Sequence, residues 1–207
     1  MPIYHKLGKI PQKRHVVFKS DAGNFYYEQL FGTEGFSSVS SLLYHLYPPT
    51  MVKEIGEPVS KRPVVALEDN LKCRSFMGYD VAPSEDYIES RKVFLFNDDM
   101  QIGIACPSQS MNEYFFKNSD GDEMLFIHKG SGRCKTMYGT VDFEYGDYVV
   151  IPRGTVYKLE FDDEENKILF VESHSPIKTP KRYRNEFGQL LEHSPFCERD
   201  FKLPHSF

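Results

Sequence analysis

The sequence predicts an all-β protein. Between residues 112 and 173, short apolar segments are separated by Gly, Asp, Asn and Pro, and strands of about five to eight residues at this spacing are typical of a β-sandwich or barrel. Inside one segment three apolar residues alternate with two acidic ones, in the order Val141, Asp142, Phe143, Glu144 and Tyr145. Because successive side chains of a strand point to opposite faces, this segment has one buried and one solvated face.

Composition argues against several classes of function. With 207 residues, of which 40% are hydrophobic, the chain can bury a sizeable core. Its net charge of -5 and the lack of a long Lys/Arg cluster argue against binding to nucleic acid or an anionic membrane. No apolar run approaches the roughly 20 residues that span a bilayer, and the first residues lack the apolar core of a signal peptide. We therefore expect a cytoplasmic protein without nucleic-acid or membrane partners. Four scattered cysteines without a CxxC pair predict reduced thiols.

The first third of the chain predicts two features. Residues 1–62 are rich in Tyr, Phe, Gly and Pro and lack sustained helical periodicity, so we expect an extended arm with short strands, for example at Phe25–Leu30. Beyond the arm, Val93–Phe96 and Ile102–Ala105 are apolar segments joined by Asn97–Asp99, a cluster that favours a turn. This pair predicts a β-hairpin.

Later loops divide the remaining strands. Tyr138-Gly139 separates residues 133–137 from residues 140–145 and predicts a second hairpin. The acidic run Asp162–Asn166 is interpreted as a solvated hairpin loop rather than a metal site. Residues 176–207 lose the strand pattern and gain proline and basic residues, so we expect a connector segment there.

Two motifs predict which kind of barrel the strands form. Residues Gly146–Tyr157 have the form G-x5-P-x-G followed by an aromatic residue, in which Pro152 ends a strand because it lacks an N–H, and Gly154 permits the next turn. This stretch resembles the second conserved motif of cupins, and Glu123–Gly130 resembles the end of the first. The resemblance implies a cupin-type jelly-roll barrel, which we assign to residues 63–175, between the arm and the connector.

The metal ligands of a cupin are largely replaced in this sequence. A metal-binding cupin carries His-x-His before the glutamate of the first motif and a further histidine in the second, whereas here Phe116–Ser119 and Tyr157 occupy those positions. Only Glu123 remains, and one carboxylate does not make a transition-metal site. His128 lies five residues from Glu123, so in a strand it points to the opposite face. We expect a degenerate barrel without metal, in which Glu123 is hydrogen-bonded to Tyr157.

Longer strings resemble one family. They are Gly35–Ser38, Ser41–His45, Pro48–Thr50, Tyr148–Thr155 and Tyr183–Asp200, and they resemble the amino-terminal part of homogentisate 1,2-dioxygenases. The resemblance implies a cytoplasmic Fe(II) enzyme of tyrosine and phenylalanine breakdown. Such an enzyme opens the ring of homogentisate with O2 to give maleylacetoacetate, and it forms oligomers. The iron ligands are expected beyond Phe207 in a second cupin domain, so we expect no catalytic, cofactor-binding or metal residue in this chain, which alone would be inactive.

The connector contains candidates for an interface. Arg182, Tyr183 and Arg184 are of the types favoured at interfaces, so they are candidates for contacts with the second domain or with a neighbouring subunit. A solvated basic loop is the other interpretation of the same residues.

Two further functions stay open at the level of sequence. The chain could be a stand-alone, non-catalytic cupin that holds a small molecule beside Glu123 and Tyr157. It could also be a metal-independent isomerase or epimerase with Tyr157 and a carboxylate as an acid/base pair.

Overall fold

The computed structural model describes residues 18–32, 34–35, 37, 40–49, 52–59, 62–67 and 72–205. In the arm, β1 (Tyr27–Gly32) pairs with β2 (Ser40–His45) as an antiparallel hairpin along its whole length. The strand predicted near Phe25–Leu30 is thus confirmed, displaced by two residues. Residues 1–17 of the predicted arm fall outside the described residues.

The remaining strands form two antiparallel sheets. They are β3 (Arg91–Phe96), β4 (Met100–Ala105), β5 (Phe116–Lys117), β6 (Asp122–Lys129), β7 (Gly132–Thr136), β8 (Gly139–Phe143), β9 (Tyr148–Ile151), β10 (Val156–Phe161) and β11 (Lys167–Ser173). One sheet has the order β5-β10-β7-β8, and the other has the order β3-β4-β11-β6-β9. The all-β class and the cupin-type jelly-roll barrel predicted from the sequence are confirmed.

Local chemistry explains the turns. The side-chain Oδ1 of Asn97 accepts hydrogen bonds from the backbone N–H groups of Asp99 and Met100, which closes the predicted β3–β4 hairpin. Gly139 adopts a positive φ of 113° at the predicted β7–β8 turn, and Gly154 adopts 81° between β9 and β10. Glycine reaches these angles at little steric cost.

The prediction of a hairpin at Asp162–Asn166 is wrong. This loop joins β10, which pairs with β5 and β7, to β11, which pairs with β4 and β6. The loop therefore crosses from one sheet to the other. Alternation within a strand predicts its buried face but not its partner strands, so it could not reveal this crossing.

The hydrophobic core lies between the two sheets. It consists of the inward side chains Tyr87, Ile88, Ala105, Met111, Leu125, Ile127, Cys134, Phe143, Ile151, Tyr157, Leu159, Ile168 and Phe170. Within the described ranges, three short 3-10 turns occur outside the sheets, at Gly78–Asp80, Lys181–Tyr183 and Glu198–Asp200. In the described part of the chain no helical segment has the length and apolar character needed to cross a bilayer.

The connector folds back onto the barrel. The backbone N–H of Ile177 donates to Asp122 Oδ2 at 2.8 Å. Near the other end of the connector, Lys202 pairs with Glu144 at 3.1 Å, and the backbone N–H of His205 donates to the carbonyl of Thr140 at 3.0 Å. These contacts anchor both ends of the connector to the barrel.

Candidate functional site

Two carboxylates face each other across neighbouring strands inside the barrel. Glu123 on β6 pairs directly with Glu172 on β11 in the antiparallel register, and the two residues are 1% and 8% exposed. Like charges placed directly opposite each other destabilise a sheet, and a buried charge without a partner is costly. The pair therefore requires a compensating cation or proton.

Arg91 supplies that cation from the edge strand β3. Its Nη1 lies 3.0 Å from Glu123 Oε1, and its Nη2 lies 2.6 Å from Glu172 Oε2. The guanidinium carbon also lies 4.2 Å from the centre of the Phe170 ring, a distance at which a cation interacts with an aromatic face. A planar guanidinium with several donors suits this bridging position. The arginine thus forms ion pairs with two buried carboxylates at once.

Tyr157 completes the cluster from the opposite sheet. Its hydroxyl donates a hydrogen bond to Glu123 Oε2 at 2.6 Å, as expected from the sequence, and its side chain is fully buried on β10. The Phe116 ring packs edge-to-face against it at 5.8 Å between centroids. Because β10 and β6 belong to different sheets, this hydrogen bond ties the two sheets together across the core.

Burial dominates the ionisation behaviour of these groups. Desolvation raises the pKa of Glu123 above its usual value, although Arg91 and the hydrogen bond from Tyr157 act in the opposite direction. Desolvation, followed by repulsion from the Glu123 carboxylate, holds the pKa of Tyr157 well above that of a free phenol. Desolvation by burial raises the pKa of the neighbouring Cys134 thiol to about 12. Both the phenol of Tyr157 and the thiol of Cys134 are therefore neutral at physiological pH.

This arrangement does not fit a metal ion at Glu123. One oxygen of Glu123 is bound by Arg91 and the other by Tyr157, and the guanidinium already supplies positive charge beside the carboxylate. Across residues 72–205 and the shorter described stretches before them, no three His, Cys, Asp or Glu side chains come together as a metal site. The chemistry that the cluster offers is charge neutralisation and hydrogen bonding.

The residues that replace the missing histidines have other contacts. Asn118 Oδ1 accepts hydrogen bonds from the backbone N–H groups of Asp120 and Gly121 and so closes the turn before β6.

His128 is exposed, as expected for a side chain on the opposite face from Glu123, and its ring packs edge-to-face with Tyr79 at 5.8 Å between centroids.

Sequence reasoning missed Arg91 and Glu172. Glu172 carried a usable signal, since it continues the inward alternation of Ile168 and Phe170 on β11. Arg91 carried a weaker signal, because a register shift between Val93 and Leu95 interrupts the alternation of β3. Only the three-dimensional pairing shows that the two residues meet Glu123.

The predicted interface residues lie in the connector. The Arg182 guanidinium carbon lies 4.7 Å from the centre of the Tyr183 ring, and that ring packs edge-to-face against Phe196 at 5.6 Å. Arg184 forms an isolated β-bridge with Leu190. These contacts order the connector internally, and the interface role stays a prediction.

Comparison with known proteins identifies similar sequences. The family model for the homogentisate 1,2-dioxygenase amino-terminal region matches residues 91–204, more than half of the chain. The chain is 38% identical, over 204 residues, to a protein of Saccharolobus solfataricus that is provisionally named a dioxygenase. This match covers 99% of the chain and 52% of the relative.

Two homogentisate 1,2-dioxygenases match shorter stretches. The Pseudomonas putida enzyme is 30% identical over 51% of this chain and 23% of its own length. The Bradyrhizobium diazoefficiens enzyme is 40% identical over 47% of this chain and 21% of its own length. The chain thus spans about half the length of the Saccharolobus relative, and its matches cover smaller shares of these two enzymes.

Two solved structures of cupin proteins are also similar. A cupin-2 domain protein from Shewanella frigidimarina has a TM-score of 0.39 and 20% identity over 46% of this chain and 87% of its own. A cupin domain from Schizosaccharomyces pombe has a TM-score of 0.37 and 10% identity over 40% of this chain and 62% of its own.

Proposed function

The chain belongs to the family of homogentisate 1,2-dioxygenase amino-terminal domains, and on this basis we propose that it forms the iron-free part of an enzyme that opens the ring of homogentisate with O2. The iron and the reacting molecules belong, in this proposal, to a second cupin domain that follows this one in the sequence. The complete enzyme acts as a cytoplasmic homo-oligomer.

The position of Arg91 is the observation that supports an iron-free role for this barrel. Its guanidinium lies within 3.0 Å of Glu123 and 2.6 Å of Glu172, so the acidic position that a metal-binding cupin would use is already neutralised. An Fe(II) centre needs open coordination positions to hold a substrate and O2 side by side. The Glu123 cluster does not supply free ligand atoms for such a centre, since both oxygens of the Glu123 carboxylate are hydrogen-bonded.

The proposed role of this barrel is therefore structural. Its two sheets present the connector, which is anchored at Asp122 and at Thr140. We assign Arg182, Tyr183 and Arg184 to contacts with the second domain or with a neighbouring subunit, because Tyr and Arg are enriched at interfaces. Arg182 already stacks on Tyr183, which limits the side-chain entropy lost on binding.

Oxygen uptake tests the proposal directly. The 207-residue chain and a longer product that includes any coding sequence after Phe207 are loaded with Fe(II) without air, desalted and mixed with homogentisate and O2. We expect homogentisate-dependent O2 uptake and ring-opened product only from the longer protein. Turnover by the 207-residue chain alone would contradict the iron-free role. Uptake by neither protein would contradict homogentisate as the substrate.

A further inference from the structure

A cleft of about 630 Å³ opens at the Arg91 end of the barrel. The lining residues with the least exposed side chains are Ile88, Arg91, Asn118 and Glu172, which therefore form its floor. Exposed residues from the arm, from β3 and from the segment around β5 line it nearer to solvent. The mouths of β-barrels are frequent positions for small-molecule sites.

The charge of the cleft favours an anion. Its lining contains four cationic side chains, Arg62, Arg91, Lys92 and Lys117, and two acidic ones, Asp120 and Glu172. Arg91 is neutralised by Glu123 and Glu172, but the other three cations line the exposed part of the cleft together with only one acid. Clustered charge of one sign at a cleft raises the local concentration of ligands of the opposite sign.

The three exposed cations also have no partner among the described residues. Arg62, Lys92 and Lys117 make no ion pair or side-chain hydrogen bond with any residue that the structure describes. By contrast, Lys135 and Lys158, on the outside of the four-stranded sheet, both pair with Glu160. Charge that is not neutralised within the protein is available to a bound anion.

Apolar side chains line the same cleft. They come from three parts of the chain, namely Val59, Pro63 and Val64 where the arm meets the barrel segment, Ile88 and Val93 near β3, and Phe116 from β5. Such a lining suits a ligand with an apolar body, because removing apolar surface from water is favourable.

We propose that this cleft binds a small organic carboxylate, with its carboxylate at Arg62, Lys92 and Lys117 and its apolar body against Ile88, Val93 and Phe116. The inference goes beyond the proposed function, which assigns no ligand to this barrel. The inference also does not depend on the proposed function, because binding in this cleft requires neither iron nor a second domain.

Calorimetric titration of the 207-residue chain tests the site, with benzoate as the probe. Benzamide has the same ring without the charge, and acetate has the charge without the ring. We expect saturable binding of benzoate, with benzamide and acetate each at least about fivefold weaker, as loss of one solvent-exposed charge contact or of the apolar contact predicts.

Two matched variants locate the site. Lys117→Met removes a cation of the cleft, whereas Lys181→Met removes an exposed lysine of the connector that does not line it. The first change should weaken benzoate binding about fivefold, and the second should leave it unchanged, while circular dichroism shows both variants folded. Undetectable benzoate binding, equal binding of benzamide or acetate, or equal losses in the two variants would each overturn the proposal. Benzoate binding that survives Lys117→Met would do the same.

Discussion

Two groups of charged side chains on this barrel differ in their burial. Between the sheets, Arg91 bridges Glu123 and Glu172, and the three side chains are 8%, 1% and 10% exposed. On the loop that crosses between the sheets, Glu165 pairs with Lys129 at the end of β6, and the two side chains are 65% and 44% exposed. Both groups consist of close ion pairs, but only the buried group must be complete, because water can solvate the separated partners of the exposed pair.

This difference explains how the barrel accommodates a buried glutamate at the cupin motif position. A carboxylate buried to the extent of Glu123 needs a cation or a proton, and Arg91 supplies the cation from within the protein. An exposed carboxylate such as Glu165 imposes no such requirement. Variants at the two groups should therefore differ in stability, with large losses at the buried cluster and small losses at the exposed pair.

Removing the buried cation should have the largest effect. Arg91→Met leaves two facing carboxylates without their partner, and breaking a buried ion pair in this way costs about 3–5 kcal/mol. Urea unfolding, followed by circular dichroism, measures the loss of unfolding free energy. Arg133→Met is the matched control, since Arg133 forms an exposed pair with Asp162. Equal losses of unfolding free energy in the two variants would show that the buried cluster stabilises the fold no more than an exposed ion pair does.

The hydrogen bond between the sheets should have the next largest effect. Tyr157→Phe removes only the hydroxyl that donates to Glu123 at 2.6 Å, and a buried acceptor left unpaired costs about 1–3 kcal/mol. The control is Tyr148→Phe, because Tyr148 is 65% exposed on β9. A Tyr157→Phe protein as stable as the Tyr148→Phe protein would contradict the role given to this bond.

Burial should also appear as a pH dependence at Cys134. Burial raises the pKa of this thiol from 9.0 to about 12, so the unfolded chain loses the thiol proton at a lower pH than the native protein does. The stabilisation is present below pH 9 and is lost as the pH rises toward 12, with a slope of about 1.4 kcal/mol per pH unit. In this window the unfolding free energy of Cys134→Ala should fall less steeply than that of the parent chain. Cys73 is exposed, and Cys73→Ala should keep the parent slope; identical slopes in all three proteins would refute the effect of burial.

The exposed pair should have the smallest effect. Glu165→Gln removes the partner of Lys129 on the crossing loop, and water replaces the lost interaction. We expect no resolvable change in the thermal unfolding midpoint by differential scanning calorimetry. A drop comparable to that of Tyr157→Phe would show that the contrast between the two groups is wrong.

The sequence was informative where one segment determines its own structure. The β3–β4 turn follows from Asn97, and the degenerate motif positions predicted the hydrogen bond between Tyr157 and Glu123. The positions of Arg91 and Glu172 beside Glu123 depend on how distant strands pair. They follow from a register shift in β3 and from β11 lying beside β6. Local alternation does not encode such pairing, so the cation at the centre of the cluster could not be predicted.

Iron content tests the central claim, that Arg91 supplies the positive charge at the cupin glutamate, most directly. The 207-residue chain and its Glu123→Gln variant are incubated with Fe(II) without air, desalted and measured by elemental analysis. We predict far less than one iron per chain in both proteins, with no difference between them. One iron per parent chain that is lost in the Glu123→Gln variant would contradict the account.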